Sequence, residues 1–456
     1  MSGYTVCRLS KLAGLALVAL FLPGVATTAA TPPNIVLIMA DDLGYGELSC
    51  YGGTQWETPR LDQLAATGLR LTDFHSNGAV CSPTRAALMT GRYQQRCGID
   101  GVVTAKSHRN TGMPREEETV AELLAGVGYA TGIFGKWHLG YSPELNPTHQ
   151  GFGSYTGFVS GNIDLFSRVD QEGWYDWWRQ RKLVVEPGYA PHLLTDHAVD
   201  FIGQHKEKPF FLYVPHPAPH YPYQGPGDLP NRVIRQGPQP ADYPPEKVAP
   251  RLEGVEAARA YRQMVVDLDT QVGRIVDALE ACGLRDNTLV VFCSDNGGIA
   301  KSGLGGDNGP LRGRKGQLYE GGHRVPAIFH WPGRIKPGVS DELAVTFDLL
   351  PTFAELVGAK PSHRLDGTSL ATLLLARQGP PPRPVAWLSS GRMAYREGVW
   401  KLLLNKSSVE LYNLQDDLAE SDDLATKEPA RVQRMQAAAE QLRLDIRGTT
   451  PMRTGS

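Results

Sequence analysis

Asn34-Ile-Val-Leu-Ile-Met39 runs on into Ala40-Asp41-Asp42-Leu43-Gly44, and Thr288-Leu-Val-Val-Phe-Cys293 runs on into Ser294-Asp295-Asn296-Gly297-Gly298. The two stretches share one pattern, a continuous apolar run that ends in acids and glycine. Such a run, without alternation, predicts a strand buried on both faces, as in a parallel sheet covered by helices. Phe210-Phe-Leu-Tyr-Val214 is a third strand of this kind and leads to His216 and His220. Thr131-Gly-Ile-Phe134 is a short fourth and leads to Lys136 and His138. In open α/β sheets, sites form beyond the carboxyl ends of strands. Four strands therefore deliver acids, an amide, histidines and a lysine to one rim.

Helices lie between the strands. From Tyr261, the residues Met264, Val265, Leu268, Val272, Ile275, Val276 and Leu279 recur at helical spacing, and Gly283 fits the stop. Alternating strands and helices predict a large, mostly parallel sheet flanked by helices. Residues 215–250 are rich in Pro and Gly without a period, and a loop that long is usually functional. Residues 378–384 read as a linker. Beyond it, 385–388, 393–396, 400–404 and 410–413 read as short strands, and a helix runs from about Pro429 to Ile446. This predicts a small C-terminal antiparallel α+β subdomain. The expected organisation is an export signal over 1–30, a catalytic domain over 31–377 and the subdomain over 378–456.

Composition narrows the function classes. The 456 residues are 41% hydrophobic and 21% charged, which excludes a disordered chain, a coiled coil and a polytopic membrane protein. Lys plus Arg is 46 against 48 Asp plus Glu, so no basic excess exists for nucleic acid. Residues 1–30 have Arg8 and Lys11, an apolar run from Leu12 to Leu22, a Pro23-Gly24 break and small residues to Ala30. This predicts a cleaved signal peptide and a periplasmic or secreted protein. The run is too short to span ~30 Å of hydrocarbon, so no stable membrane anchor is expected. After cleavage five cysteines remain, an odd number. With Cys81 set aside, Cys50, Cys97, Cys282 and Cys293 allow three disulfide pairings, and the sequence does not choose among them.

Cys81-Ser82-Pro83-Thr84-Arg85-Ala86 reads as a helix start, with Ser82 as cap and Pro83 at the first position. Cys81 then meets the unpaired N–H groups of a helix N-terminus, where an anion is favoured, and Arg85 lies one turn in to brace it. Asp41, Asp42, Asp295 and Asn296 offer only hard oxygens. That donor set suits Ca²⁺ or Mg²⁺ and disfavours Zn²⁺.

Cys81-x-Pro83-x-Arg85, extended by Ala86 and Thr90-Gly91, resembles the signature of the formylglycine-dependent sulfatases, the arylsulfatase type of the alkaline phosphatase superfamily. Gly135-Lys136-Trp137-His138-Leu139-Gly140, His216-x-Pro-x-His220, Arg314-Lys315-Gly316 and Tyr319 to Pro326 are similar to further segments of that family. So are Arg396 to Leu402 and Glu410 to Leu414. The similarity covers nearly all of residues 33–425.

The resemblance implies an alkaline phosphatase-like fold and hydrolysis of a sulfate ester of a small molecule or glycan. It implies that a maturation enzyme oxidises Cys81 to formylglycine (3-oxoalanine). It implies Ca²⁺ held by Asp41, Asp42, Asp295, Asn296 and the modified Cys81. Lys136 would hold sulfate and the aldehyde hydrate, and His138 would be the base. His220 and Lys315 would contact the ester and its leaving oxygen, with Arg85 bracing the nucleophile. His216 is either a support or purely structural, and Glu320 and Arg324 shape their loop. Some relatives place a serine against sulfate after a Gly-Phe pair; here Ser160 or Asn162 follows Gly157-Phe158, and neither is assigned. Trp174-Tyr-Asp-Trp-Trp178 reads either as a stacking surface for a sugar ring or as a packed loop anchor. Two rival readings stand: a phosphonate monoester or phosphodiester hydrolase with the same cradle, and a non-catalytic calcium- or glycan-binding protein with an unconverted Cys81. Arg85, Lys136, His138, His220 and Lys315 together argue against the second, because a binding module needs no proton-transfer groups.

Overall fold

The two apolar runs lie side by side. In the computed structural model, which describes residues 1–5, 32–240, 242–243 and 248–448, Asn34–Ala40 pairs in parallel with Thr288–Ser294 from Asn34↔Thr288 to Ala40↔Ser294. On its other side it pairs in parallel with Phe210–Pro215. Of the expected export signal, residues 1–5 are exposed without regular structure, and the rest lies outside the described residues.

The main sheet has ten strands. In spatial order they are Gly338–Ser340, Leu69–Leu71, Ala327–His330, Thr288–Ser294, Asn34–Ala40, Phe210–Pro215, Ala130–Lys136, Ser154–Phe158, Trp178–Arg179 and Lys182–Leu183. The central pairs are parallel. Ala327–His330 runs antiparallel to both neighbours, and the two-residue strands close the far edge antiparallel. The sheet is thus mixed and mostly parallel at its centre, as the apolar runs predict.

Burial explains the pattern. All seven residues of Asn34–Ala40 and all seven of Thr288–Ser294 are buried, because helices cover both faces. Each Val, Ile or Leu so placed contributes about 1.5–3 kcal/mol relative to exposure. One face carries Gly254–Ala281, whose Met264, Val265, Leu268, Val272, Ile275, Val276 and Leu279 all enter the core. The helix begins seven residues before the predicted Tyr261. Its end agrees: Gly283, at φ +68°, adopts the left-handed conformation just past the last turn. The other face carries Cys81–Thr90 and Leu349–Val357.

Val385–Ser389, Arg392–Glu397, Trp400–Leu404 and Val409–Asn413 form a four-stranded antiparallel meander. Helix Pro429–Gly448 packs on it through Met435, Ala439 and Ile446. Its core takes in Val345 and Phe347 from the main body. Among the described residues no helix is long and apolar enough to cross a membrane.

The disulfide pairings allowed by the sequence do not form. Cys50, Cys81, Cys97, Cys282 and Cys293 are all free thiols. They occupy separate environments. Cys293 is in the central strand, Cys97 touches the Thr90 hydroxyl at 3.3 Å, and Cys50 lies in a short turn. Burial pushes the Cys50 and Cys97 thiols up to about 12.

Candidate active site

Register places the acids. Ala40 and Ser294 are partners, so the next residues, Asp41 and Asp295, leave the sheet together, with Asp295 N–H donating to Ala40 O at 3.1 Å. Asp42 N–H donates to Asp295 Oδ1 at 3.2 Å. Asp42 has φ +67° and His138 has φ +58°, a left-handed backbone that non-glycine residues seldom adopt. Such strain collects at functional sites. Gly135 permits the close approach of the end of Phe210–Pro215, since a Cβ there would stand 2.1 Å from Pro215 O.

The Cys81 segment corrects the expected helix start. The helix is Cys81–Thr90, with Val80 as its cap residue, so Cys81 itself is the first helical residue. Ser82 does not cap; its hydroxyl accepts from Val103 N–H at 3.0 Å. Ser82 is the second residue of the helix, inside its first turn, so it is not at the position from which a side chain caps. Cys81 is buried, and its thiol is pushed up by burial, against the pull of Lys136 and Lys315.

Three cations surround the acids. Arg85 donates from Nε (3.2 Å) and Nη2 (2.8 Å) to Asp295 Oδ2, and from Nη1 to Lys136 O. Lys136 Nζ donates to Asp41 Oδ2 at 2.7 Å. Lys315 Nζ lies 2.6 Å from Asp42 Oδ1. Its loop is held against the strand end by Lys315 N–H to Gly298 O and Gly297 N–H to Gly322 O, both 3.0 Å. Burial works to raise Asp42, but Lys315 and His220 overcome it and hold that carboxyl far below its usual range. Burial, with Asp41 beside it, pushes Asp295 up to about 6.

The histidines are oriented by backbone carbonyls. His138 Nε2 lies 2.8 Å from Val103 O, so Nε2 carries the proton and Nδ1 keeps its lone pair. That Nδ1 is buried with no hydrogen-bond partner. Burial, helped by Lys136 and Arg85, keeps His138 neutral far below its ordinary value. His220 Nδ1 lies 2.6 Å from Tyr221 O, which turns Nε2 toward Asp42 Oδ2 at 3.6 Å. His216 is structural in its contacts: its N–H donates to Met39 O and its Nδ1 accepts from Ala218 N–H, shaping the turn to His220.

Hard oxygens remain for a cation. Asp41 Oδ1 and Asn296 Oδ1 are buried without a hydrogen-bond partner, while Asn296 Nδ2 donates to Asp42 Oδ1 at 2.8 Å. Buried acceptors are nearly always satisfied, so two orphans among acids fit a hard divalent ion. The ligand atoms of Asp41, Asp42 and His220 lie within 4.8 Å of one another. Sequence reasoning placed His220 only at the substrate, and no spacing signal linked it to the acids. The oxygens of Asp295 already accept from Arg85 and Asp42.

Two open expectations are narrowed. Trp177 is fully buried, donates to Glu186 Oε2 at 3.0 Å and stacks under Arg168, so its ring anchors a loop. Arg109 covers the Trp174 ring at 3.9 Å. The Ser160 hydroxyl is engaged with Asn162 O at 3.1 Å.

A mixed α/β sheet that gathers cations, hard oxygens and a helix-start cysteine at its strand ends is suited to hydrolysis of tetrahedral oxyacid esters. Known proteins specify which. The family profile described as Sulfatase matches residues 33–359, and the chain belongs to the sulfatase family. It is 40% identical over 402 residues to arylsulfatase A of Homo sapiens, covering 82% of this chain and 75% of that one. It is 36% identical over 379 residues to N-acetylgalactosamine-6-sulfatase of Rattus norvegicus, covering 77% and 67%. The crystal structure of Ps i-CgsB in complex with k-i-k-neocarrahexaose superposes with a TM-score of 0.80 at 31% identity, covering 93% and 94%. The fold is therefore alkaline phosphatase-like, and the chain is a sulfuric ester hydrolase.

Proposed function

We propose that this chain is an exported sulfatase that cleaves an aryl or carbohydrate sulfate ester to alcohol and sulfate, using formylglycine made from Cys81 by a maturation enzyme and Ca²⁺ as resident ion. The observation that carries this reading is a buried cysteine at the first turn of a helix, flanked by Lys136 and Lys315, beside Asp41 Oδ1 and Asn296 Oδ1, two buried oxygens without a hydrogen bond. Asp41, Asp42, Asp295 and Asn296, with the modified Cys81, would hold Ca²⁺. The bound groups would supply a hydroxyl nucleophile with a route for sulfate release, and positive charge on the sulfate oxygens.

The protein's own residues do the rest. Arg85, Lys136 and Lys315 neutralise charge on the transferring group in a largely buried site, where preplaced cations act more strongly than in water. His138 accepts a proton at Nδ1, the nitrogen that the Val103 carbonyl leaves free. Lys315 offers N–H donors to the leaving oxygen, and His220 presents Nε2 beside the other oxygen of Asp42. The named glycan complex and the amino-sugar sulfatase relative support a carbohydrate substrate. They do not favour a phosphonate hydrolase. Residues 31–377 would carry the chemistry, and 378–456 would brace the Lys315 loop from behind.

Mass spectrometry of the Cys81 peptide from protein made in its own host tests the nucleophile. A mass matching formylglycine is expected. An unmodified Cys81 in a preparation that turns over aryl sulfate would overturn the reading. Cys81→Ala should bring aryl sulfate turnover to background with the melting temperature nearly kept.

A further inference from the structure

Near His220 lies a second set of cations that the transferring sulfate does not use. Tyr221, the next residue, is half-buried, and two guanidiniums lie against its ring. Arg251 Cζ is 4.4 Å and Arg232 Cζ 5.3 Å from the ring centroid. Arg232 also donates to Val169 O at 3.2 Å. Among the described residues neither arginine has a carboxylate within ion-pair distance. Their neighbour Arg259, by contrast, is neutralised by Asp228 and Glu256. The ring platform is anchored: Tyr221 packs edge-on to Tyr223, and Tyr223 to Tyr261 of the long helix, each at 5.7 Å. The Tyr223 hydroxyl feels Asp42, Lys315 and Arg251 together, so Arg251 belongs to the same electrostatic field as the cradle.

Stacking against an aromatic ring pins a guanidinium without using its hydrogen-bonding edge. Two such forks, held against one ring and without a carboxylate among the described residues, are prepared for a carboxylate or sulfate. Arg85, Lys136 and Lys315 already compensate the group being transferred. Positive charge one residue beyond His220 therefore acts on what remains outside, the alcohol part of the substrate.

We propose, resting on the sulfatase reading, that Tyr221, Arg232 and Arg251 form a subsite for a second oxyanion on the alcohol side, which makes the substrate class a sulfated glycan with more than one acidic group. Three probes test it: a neutral aryl sulfate, a disulfated monosaccharide and a monosulfated disaccharide containing a uronic acid. In Arg251→Gln and Arg232→Gln, the kcat/KM ratio of acidic probe to neutral probe should fall about tenfold, mainly through KM. The parent's own ratio should fall as salt is added. A fall confined to the disulfated probe assigns the oxyanion to sulfate, and one confined to the uronic acid assigns it to carboxylate. An unchanged ratio in both variants overturns the subsite. If the parent turns over none of the probes, the sulfatase reading fails by itself, and calorimetry then decides the subsite. Binding of the disulfated sugar about tenfold weaker in Arg251→Gln, relative to inorganic sulfate, supports it; equal affinity overturns it.

Discussion

At the strand ends, Asp41, Asp42 and Asp295 meet Arg85, Lys136 and Lys315, with His138 and His220 beside them. At the junction with the C-terminal sheet, Asp73, Glu320 and Glu420 meet Arg324, Arg396 and Lys401, with His75 and His323 beside them. The inventory is the same: three acids, three bases, two histidines. The arrangement is not. In both places every acid has a cation, but in the junction the pairs interlock through shared partners. Arg396 grips Asp73 at 2.6 and 2.8 Å, Arg324 spans Asp73 and Glu320, and Lys401 lies 2.8 Å from Glu320 and 2.9 Å from Glu420. Each histidine nitrogen there has a neighbour too, with His75 Nδ1 2.9 Å from His323 Nδ1 and His75 Nε2 2.8 Å from Asp73. His75, Glu320 and His323 have the spacing of a metal site, but the Lys401 ammonium already stands among them, 3.2 Å from His323 Nε2. The cradle instead leaves Asn296 Oδ1 and His138 Nδ1 without a hydrogen bond and Asp41 Oδ1 with only Arg85 Nη2 at 3.9 Å, whereas Glu420 Oε1, also without a hydrogen bond, has Lys401 at 2.9 Å. Buried charge alone thus does not mark a site; buried charge left open does.

One substitution made in both places is the strongest way to break this comparison. Lys401→Met strands Glu420 without a cation and leaves Glu320 with Arg324 alone, and should cost about 3–5 kcal/mol of stability, read by denaturant unfolding. Lys315→Met should instead cost about 10²–10³ in kcat on an aryl sulfate. Its pair is one-fifth exposed on the lysine side, so the stability change with calcium present should stay within about 1 kcal/mol. Equal stability losses at the two lysines would erase the distinction.

A cation titration sharpens it next. Calcium at about 100 times its Kd should stabilise the parent by about 2.7 kcal/mol in thermal melts. Asp41→Asn should remove that gain, and Glu420→Gln should leave it. Absence of any gain in the parent would put the cradle in the same class as the junction.

The smallest effect concerns protons. Burial, reinforced at His323 by Lys401, depresses both junction histidines, so they fold neutral among Asp73, Glu320, Arg396 and Lys401. A depressed pKa contributes stability above the unfolded value near 6.5, and that contribution drains away as pH falls toward the folded values. Each ring supplies a slope of about 1.4 kcal/mol per pH unit over that range. Ring NMR signals of His323 should remain in the neutral form well below pH 6.5, and the midpoint of His75 should also lie below that value. A midpoint near 6.5 for either would mean the junction is open to water.

The cradle was more legible in sequence than the junction. Its residues end apolar strands or start a helix, and those are local patterns. Asp73, His75 and Glu420 sit in unpatterned stretches, and Lys401 lies inside a short strand where a lysine ordinarily faces water. Contact with Glu320, 81 residues away, and with Glu420 explains its complete burial. The aromatic cluster failed as a sugar platform at Trp177 for the same reason, since sequence shows a ring but not which of its faces is covered. Ser82 looked like a cap because the type fits, and its actual partner Val103 is 21 residues on.

Sequence by itself determined the buried strands, the acids and amide at their ends, the long amphipathic helix and the presence of a helix N-terminus at the cysteine segment, because hydrophobic period and turn chemistry act within a few residues. Tertiary structure alone decided the pairs: Lys136 with Asp41 across 95 positions, Arg85 with Asp295 across 210, and Lys315 with Asp42. It also decided which histidine nitrogen is free, through a carbonyl 35 residues from His138. The physical reason is register. Parallel pairing set Ala40 beside Ser294, and that one alignment brought two separate acidic strand ends to the same place.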